Sequence, residues 1–141
     1  FDGNKWDMGK MVSYAEVMTY VNDAFTEDKI KRLQDAPNDT SKNYKIKGYK
    51  GSFAIISSVT NPFCDSCNRL RLTANGQLKN CLFSSTESDL LTTLRAGQSI
   101  EPIIKKAVQA KLKVRGGMDT LKKLQEPKLH NNNRSMITIG G

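Results

Sequence analysis

The alternation of hydrophobic and polar residues predicts a β-hairpin in the middle of the chain. Residues 69–74 and 77–83 alternate, and the Asn75-Gly76 pair between them is typical of a hairpin turn. A three-residue loop with a left-handed Gly76 pairs Leu72 with Leu78, whereas a two-residue loop mixes apolar and polar side chains on one face. The pattern therefore favours one apolar face, Leu70, Leu72, Leu78 and Leu82, and one polar face, Arg69, Arg71, Lys79 and Cys81.

Further elements are predicted before this hairpin. Ser13-x-x-Glu16 is a capping box that begins a helix to about Phe25, with an apolar stripe of Tyr14, Val17, Met18, Val21 and Phe25. Residues 26–42 are predicted to form a surface loop with a helical turn near residues 29–33. Two strands, Tyr44–Tyr49 and Ser52–Val59, follow, and Asn61-Pro62 ends the second.

Two helices are predicted after the hairpin. Thr86-x-x-Asp89 caps a helix to about Arg95, and Ser99 caps a second helix to about Val114. The buried face of the second helix is expected to comprise Ile100, Ile103, Ile104, Ala107, Val108 and Lys111/Leu112. The predicted fold class is α+β, with a small antiparallel sheet and flanking helices.

All three cysteines, Cys64, Cys67 and Cys81, lie in or next to the hairpin, which indicates metal chemistry rather than disulfides. Three thiolates can hold a [4Fe-4S] cluster with one iron open to a further ligand, whereas a structural zinc ion takes four protein ligands. His130 would complete a Cys3His zinc set, giving a basic module that contacts nucleic acid. A plain basic α+β domain with incidental cysteines is a third possibility.

The charge balance points to anionic partners. The chain has a formal net charge of +8 at pH 7, and Arg69 and Arg71 lie on the predicted face of Cys81. A guanidinium group matches phosphate geometry, so this face suits a nucleotide. Many lysines are equally well explained as solvated helix faces. No apolar run of eighteen residues exists, so no membrane partner is expected.

The stretch Cys64-x-x-Cys67-Asn68-Arg69-Leu70-Arg71-Leu72-Thr73-Ala74-x-Gly76, followed by Cys81-Leu82-Phe83, resembles the second cluster motif of the GTP 3',8-cyclase family. These are radical S-adenosylmethionine enzymes of molybdenum cofactor biosynthesis. The start, Phe1-Asp2-Gly3-Asn4-Lys5-Trp6, and the end, Ile139-Gly140-Gly141, agree with the resemblance. It implies that Cys64, Cys67 and Cys81 hold a [4Fe-4S] cluster whose open iron takes the guanine of GTP. It also implies that Arg69 and Arg71 bind the triphosphate and that Gly140 and Gly141 reach into the active site.

The resemblance also bears on the whole protein. It implies that residues 1–141 are the C-terminal cluster- and GTP-binding domain of a longer enzyme. The incomplete TIM-type barrel, S-adenosylmethionine and the further [4Fe-4S] cluster would belong to an N-terminal part, because no C-x-x-x-C-x-x-C motif occurs here. The family product is (8S)-3',8-cyclo-7,8-dihydroguanosine 5'-triphosphate.

Without the barrel, this part alone is expected to be inactive. A homodimer, a cyclic pyranopterin synthase acting downstream, and either a mitochondrial matrix or a bacterial cytoplasmic location are further expectations. No nucleic-acid partner is expected under this interpretation.

Overall fold

The computed structural model describes residues 8–126 and 133–139. Predictions for residues 1–6, for His130 and for Gly140-Gly141 lie outside these residues. The described residues belong to two compact units, of which the N-terminal unit ends at Cys67 and the C-terminal unit begins at Asn68. Together they contain two small antiparallel sheets and five α-helices, which confirms the α+β class. None of the described helices is long and apolar enough to span a membrane.

The N-terminal unit begins with a 3-10 turn, Met8–Lys10, and helix α1, Tyr14–Phe25. The predicted capping box is present: the Glu16 amide donates to the Ser13 hydroxyl, and the Ser13 amide donates to the Glu16 carboxylate. The predicted apolar stripe of α1 is half-buried along its length. Periodicity and capping together therefore gave both the start and the inward face of this helix.

A three-stranded antiparallel sheet follows, in the order β1 (Ile30–Arg32), β2 (Ser41–Ile46), β3 (Ser52–Ile56). A 3-10 turn, Glu27–Lys29, precedes β1. The helical turn predicted near residues 29–33 was wrong, because β1 pairs with β2 from Ile30↔Ile46 to Arg32↔Tyr44. Pairing with residues more than ten positions away decides this segment, and local periodicity does not report such pairing.

The C-terminal unit contains a second sheet in the order β4 (Arg71–Leu72), β5 (Gln77–Lys79), β6 (Ser88–Asp89). Its helices are α2 (Leu91–Arg95), α3 (Glu101–Gln109), α4 (Leu121–Gln125) and α5 (Met136–Ile139), with a 3-10 turn at Arg115–Gly117. Its apolar core joins sheet to helix and consists of Leu78, Leu90 and Ala107, with Ile100, Ile103 and Ile104 packed against it.

Both helix predictions in this unit needed correction. The helix predicted from Thr86 begins only at Leu91, because Ser88 and Asp89 pair with β5 as a strand. The predicted cap at Thr86 is therefore wrong, and the Asp89 carboxylate just before the helix accepts a hydrogen bond from the Thr92 amide at 3.1 Å. The next helix ends at Gln109 rather than near Val114, and Val108 and Leu112, both predicted on its buried face, are exposed.

Gly76 provides a test of the hairpin geometry. Its φ is +74°, and a Cβ atom there would lie 2.4 Å from Cβ of Leu91. We expect Gly76→Ala to lower the unfolding free energy of the full-length protein by about 2–4 kcal/mol, from the left-handed backbone plus the steric overlap. Denaturant unfolding measures this loss.

Gly97 is the matched control for this substitution. Its φ is +70°, but a Cβ atom added there would meet nothing within 4 Å. Gly97→Ala should therefore lose only the backbone contribution of about 1 kcal/mol. Equal losses for the two variants would contradict the close approach of Leu91 to Gly76.

Candidate functional site

The cysteine pair forms a turn in the N-terminal unit. The Cys67 amide donates to the Cys64 carbonyl at 3.1 Å, which closes the C-x-x-C segment. Both residues are half-buried and neither is in a disulfide. Two reduced thiols on a single turn are suited to a soft metal centre.

The hairpin of the C-terminal unit has the predicted register and loop. Leu72 pairs with Leu78, the Thr73 amide donates to the Gln77 carbonyl at 2.9 Å, and Gly76 is left-handed. The Thr73 hydroxyl, buried inside the loop, accepts a hydrogen bond from the Gln77 amide at 2.9 Å. The three-residue loop is thus confirmed, and the buried Thr73 hydroxyl adds a second hydrogen bond across it.

The register pairs the predicted face partners, but the burial predicted for the two faces was largely wrong. Leu78 is buried, but Leu72 is 63% exposed and Leu70 is 39% exposed. Lys79, which was predicted on the polar face, has a relative exposure of 0%. The reason is position in the sheet. β5 is the central strand, with β4 on one side and β6 on the other, whereas β4 is an edge strand of two residues.

Lys79 lies in a pocket of oxygen atoms. Its ammonium Nζ donates to the Ser84 carbonyl at 2.6 Å and to Oδ1 of Asn133 at 3.0 Å. Oε1 of Glu87 is 3.5 Å away. Burial lowers the pKa of Lys79, and the Glu87 carboxylate partly opposes this shift. A buried charge is tolerated here because it is both hydrogen-bonded and paired.

Glu87 connects this lysine to Arg134. Arg134 donates to both carboxylate oxygens of Glu87, from Nε at 2.5 Å and from Nη2 at 2.6 Å. The Arg134 guanidinium is the main cause that lowers the pKa of Glu87, and the carboxylate in turn raises the pKa of Arg134. Nothing in the sequence signalled this pairing, because 47 residues separate the two partners.

The two candidate phosphate ligands and the third cysteine belong to this same unit. Arg71 lies opposite Lys79 in the β4–β5 ladder, and the Arg69 carbonyl accepts a hydrogen bond from Nζ of Lys111 at 2.9 Å. Both arginines are half-buried. Cys81 is half-buried, is not in a disulfide, and its carbonyl accepts from the Ser84 amide at 3.3 Å.

The structure therefore brings Arg69, Arg71 and Cys81 into the C-terminal unit, and Cys64 with Cys67 into the N-terminal unit. Within either unit, the described residues include no group of three or more histidine, cysteine, aspartate or glutamate side chains that could hold a metal ion. The roles assigned to these five residues stay predictions.

Comparison with known proteins decides the family. The family description Molybdenum Cofactor Synthesis C matches residues 1–116. The chain belongs to this family. The resemblance predicted from the cysteine motif is thereby confirmed.

Three relatives illustrate how much of the chain is similar to proteins of this family. It is 44% identical over 144 residues to the mitochondrial GTP 3',8-cyclase of Arabidopsis thaliana, which covers 100% of the chain and 35% of that protein. It is 39% identical over 142 residues to human molybdenum cofactor biosynthesis protein 1, with 99% of the chain and 21% of that protein covered. The GTP 3',8-cyclase of Desulforamulus reducens is 36% identical over 113 residues, with 77% and 34% covered. The chain thus spans about a third or a fifth of the length of these relatives.

The Glu87–Arg134 pair predicts a pH-dependent contribution to stability. Because the pKa of Glu87 is lower in the fold than in the unfolded chain, its carboxylate stabilises the fold above the unfolded pKa of about 4.3. That contribution is lost as pH falls through the lower folded-state pKa. We expect Glu87→Gln to reduce stability near pH 7 by about 1–3 kcal/mol, and the gap from the parent to shrink below about pH 4. Melting of the metal-free full-length protein across this pH range is the measurement.

Glu101→Gln is the control, because the Glu101–Lys105 pair of α3 is largely exposed, with side-chain exposures of 69% and 70%. Its loss should stay below about 1 kcal/mol at every pH. A Glu87→Gln variant that behaves like this control would show that the Arg134 pair is energetically unimportant.

Proposed function

We propose that this chain is the C-terminal part of a GTP 3',8-cyclase and acts in molybdenum cofactor biosynthesis. The observation that carries the proposal is the family match over residues 1–116. Two of the relatives described above are named GTP 3',8-cyclases, which supports the same function. The Arabidopsis relative is named as a mitochondrial protein, and the mitochondrial matrix is one of the two locations expected for this chain. The radical S-adenosylmethionine barrel, S-adenosylmethionine and the further cluster are proposed for a part of the enzyme outside these residues.

Cys64, Cys67 and Cys81 are the proposed ligands of a [4Fe-4S] cluster. The donor set fits this group, because all three are half-buried thiols outside any disulfide, and iron–sulfur clusters are held by thiolates. When bound, the cluster would supply an iron with an open position for the guanine of GTP.

Arg69 and Arg71 are the proposed ligands of the GTP triphosphate. Their guanidinium groups carry a fixed positive charge and can form paired hydrogen bonds with phosphate oxygens. The unit that carries them also carries Cys81. In this proposal these side chains bind and orient the nucleotide, and correct orientation is a large part of catalysis. Gly140 and Gly141 are proposed to reach the active site of the complete enzyme.

The ligand assignment predicts equal losses of metal from three variants. Cys64→Ser, Cys67→Ser and Cys81→Ser should each lose most of the iron and sulfide of the anaerobically reconstituted full-length protein at this site, because three thiolates are the minimum set for such a cluster. Iron, sulfide and zinc analysis with visible absorbance near ~400 nm is the measurement.

The exposed Ser66, between Cys64 and Cys67, provides the control for this series. Ser66→Ala should retain the iron content of the parent. Full iron in Cys81→Ser would remove Cys81 from the ligand set. A colourless parent with one zinc per chain would favour the Cys3His zinc module instead.

Neighbouring residues on β4 test the triphosphate assignment. Arg71→Ala should weaken GTP binding by the cluster-replete enzyme about ten- to a hundred-fold, because one charge-assisted contact contributes about 1.5–3 kcal/mol. Arg71→Lys should recover only part of this affinity, since an ammonium group replaces a two-pronged guanidinium. Calorimetric titration with GTP measures both.

The control is Leu72→Ala on the same strand. Leu72 is 63% exposed, so its truncation should leave both GTP affinity and melting temperature near the parent values. If Arg71→Ala binds GTP like the parent while Leu72→Ala loses affinity, the assignment of the two positions is inverted.

A further inference from the structure

The loop that carries Cys81 is fixed by hydrogen bonds from two directions. Lys79 donates to the Ser84 carbonyl at 2.6 Å from within the hairpin. Nδ2 of Asn133 donates to the Leu82 carbonyl at 3.1 Å from the C-terminal segment. The Ser84 amide closes the loop on the Cys81 carbonyl. The carbonyls of Leu82 and Ser84 therefore each accept a hydrogen bond from a buried polar side chain.

Asn133 joins the two sets of contacts. Its Oδ1 accepts from Lys79 while its Nδ2 donates to Leu82, and it is only 5% exposed. An amide has both a donor and an acceptor, so one side chain can link an ammonium group to a carbonyl. The next residue, Arg134, is held by the two-pronged contact with Glu87. The start of the C-terminal segment is thereby bound to the same buried lysine as the Cys81 loop.

A third element packs against the loop. A Cβ atom on Gly116 would lie 2.8 Å from the Ser84 amide nitrogen, so the backbone of residue 116 lies directly against the loop. The far end of the C-terminal segment is also fixed, since Ile139 has an exposure of 0%. The loop and the far end of this segment are therefore both packed against other parts of the unit.

We propose that Lys79 and Asn133 are positioning residues that order the Cys81 loop and the C-terminal segment 133–139 together. Lys79, Ser84, Glu87, Asn133 and Arg134 form one hydrogen-bonded set, called the Lys79 cluster below. Its relevance to catalysis rests on the proposed function, since the loop carries a proposed cluster ligand and the segment leads to Gly140-Gly141. The coupling itself is a property of the fold.

The Cys81 loop and the C-terminal segment are coupled because both accept hydrogen bonds from the ammonium group of Lys79. If the C-terminal segment leaves, Lys79 loses Asn133 and the Leu82 carbonyl loses its donor. If the loop leaves, Lys79 loses the Ser84 carbonyl. Either departure exposes or strands a buried charge, so the two segments are expected to open as one unit.

Hydrogen exchange of the metal-free full-length protein tests the coupling. In Lys79→Met, amides in residues 81–84 and amides in residues 133–139 should both exchange about ten-fold faster or more, which corresponds to about 1.4 kcal/mol per decade. Lys105→Met removes an exposed lysine from α3 of the same unit and should exchange like the parent. Faster exchange in residues 81–84 alone, or in neither segment, would overturn the proposal.

If Lys79→Met does not fold, hydrogen exchange of Asn133→Asp tests the coupling of the two segments instead. The aspartate keeps an acceptor for Lys79 but has no donor for the Leu82 carbonyl. It should accelerate exchange in residues 81–84 and in residues 133–139 together, because the two segments open as one unit. Parent-like exchange in residues 81–84 would show that Asn133 does not hold the loop.

Iron release separates a positioning role from a purely structural one. Reconstituted Asn133→Asp enzyme should lose iron to a chelator about ten-fold faster than the parent at a temperature where both proteins remain folded. Equal release rates would remove any role of Asn133 in holding the cluster ligand. A parent that binds no iron would refute the proposed function, whereas the exchange result would still decide the coupling.

Discussion

Lys79 carries its ammonium group into the interior of the C-terminal unit, where the side chain has no contact with solvent. A charge in that position is stable only if oxygen atoms surround it, and the chain supplies them from three places. One is a carbonyl just after Cys81, one is the carboxylate of Glu87, and one is the amide of Asn133 near the end of the chain. Ser84 and Glu87 follow Lys79 closely in sequence, but Asn133 is 54 residues away, so the lysine requires that later stretch to fold beside the hairpin.

Local signals predicted a good part of this fold. The capping box at Ser13 placed the start of α1, and the Asn75-Gly76 turn placed the hairpin register. The isoleucines before Ala107 identified the face of α3 that packs on the core. Each of these depends on residues within a few positions of one another, where spacing and backbone preference dominate.

The errors arose where distant partners decide the outcome. β1 is a strand because β2 pairs with it, although residues 29–33 were predicted as a helical turn. Leu72 is exposed and Lys79 is buried because of their places in the sheet, so alternation alone predicted the wrong burial for both. For the candidate site, the cysteine spacing identified the family, but the Lys79 cluster could not be found in sequence. Its members are ordinary polar residues, and Asn133 lies 54 residues after Lys79.

The sheet of the C-terminal unit has outer strands of only two residues each, β4 and β6. Unpaired edge groups can recruit a strand from another molecule and so begin aggregation, and very short edges leave too few such groups in line. The exposed Leu70 and Leu72 would otherwise be a hazard of this kind, since apolar side chains on a long flat edge favour intermolecular pairing. The sheet of this unit therefore keeps its edges too short to act as templates for intermolecular pairing.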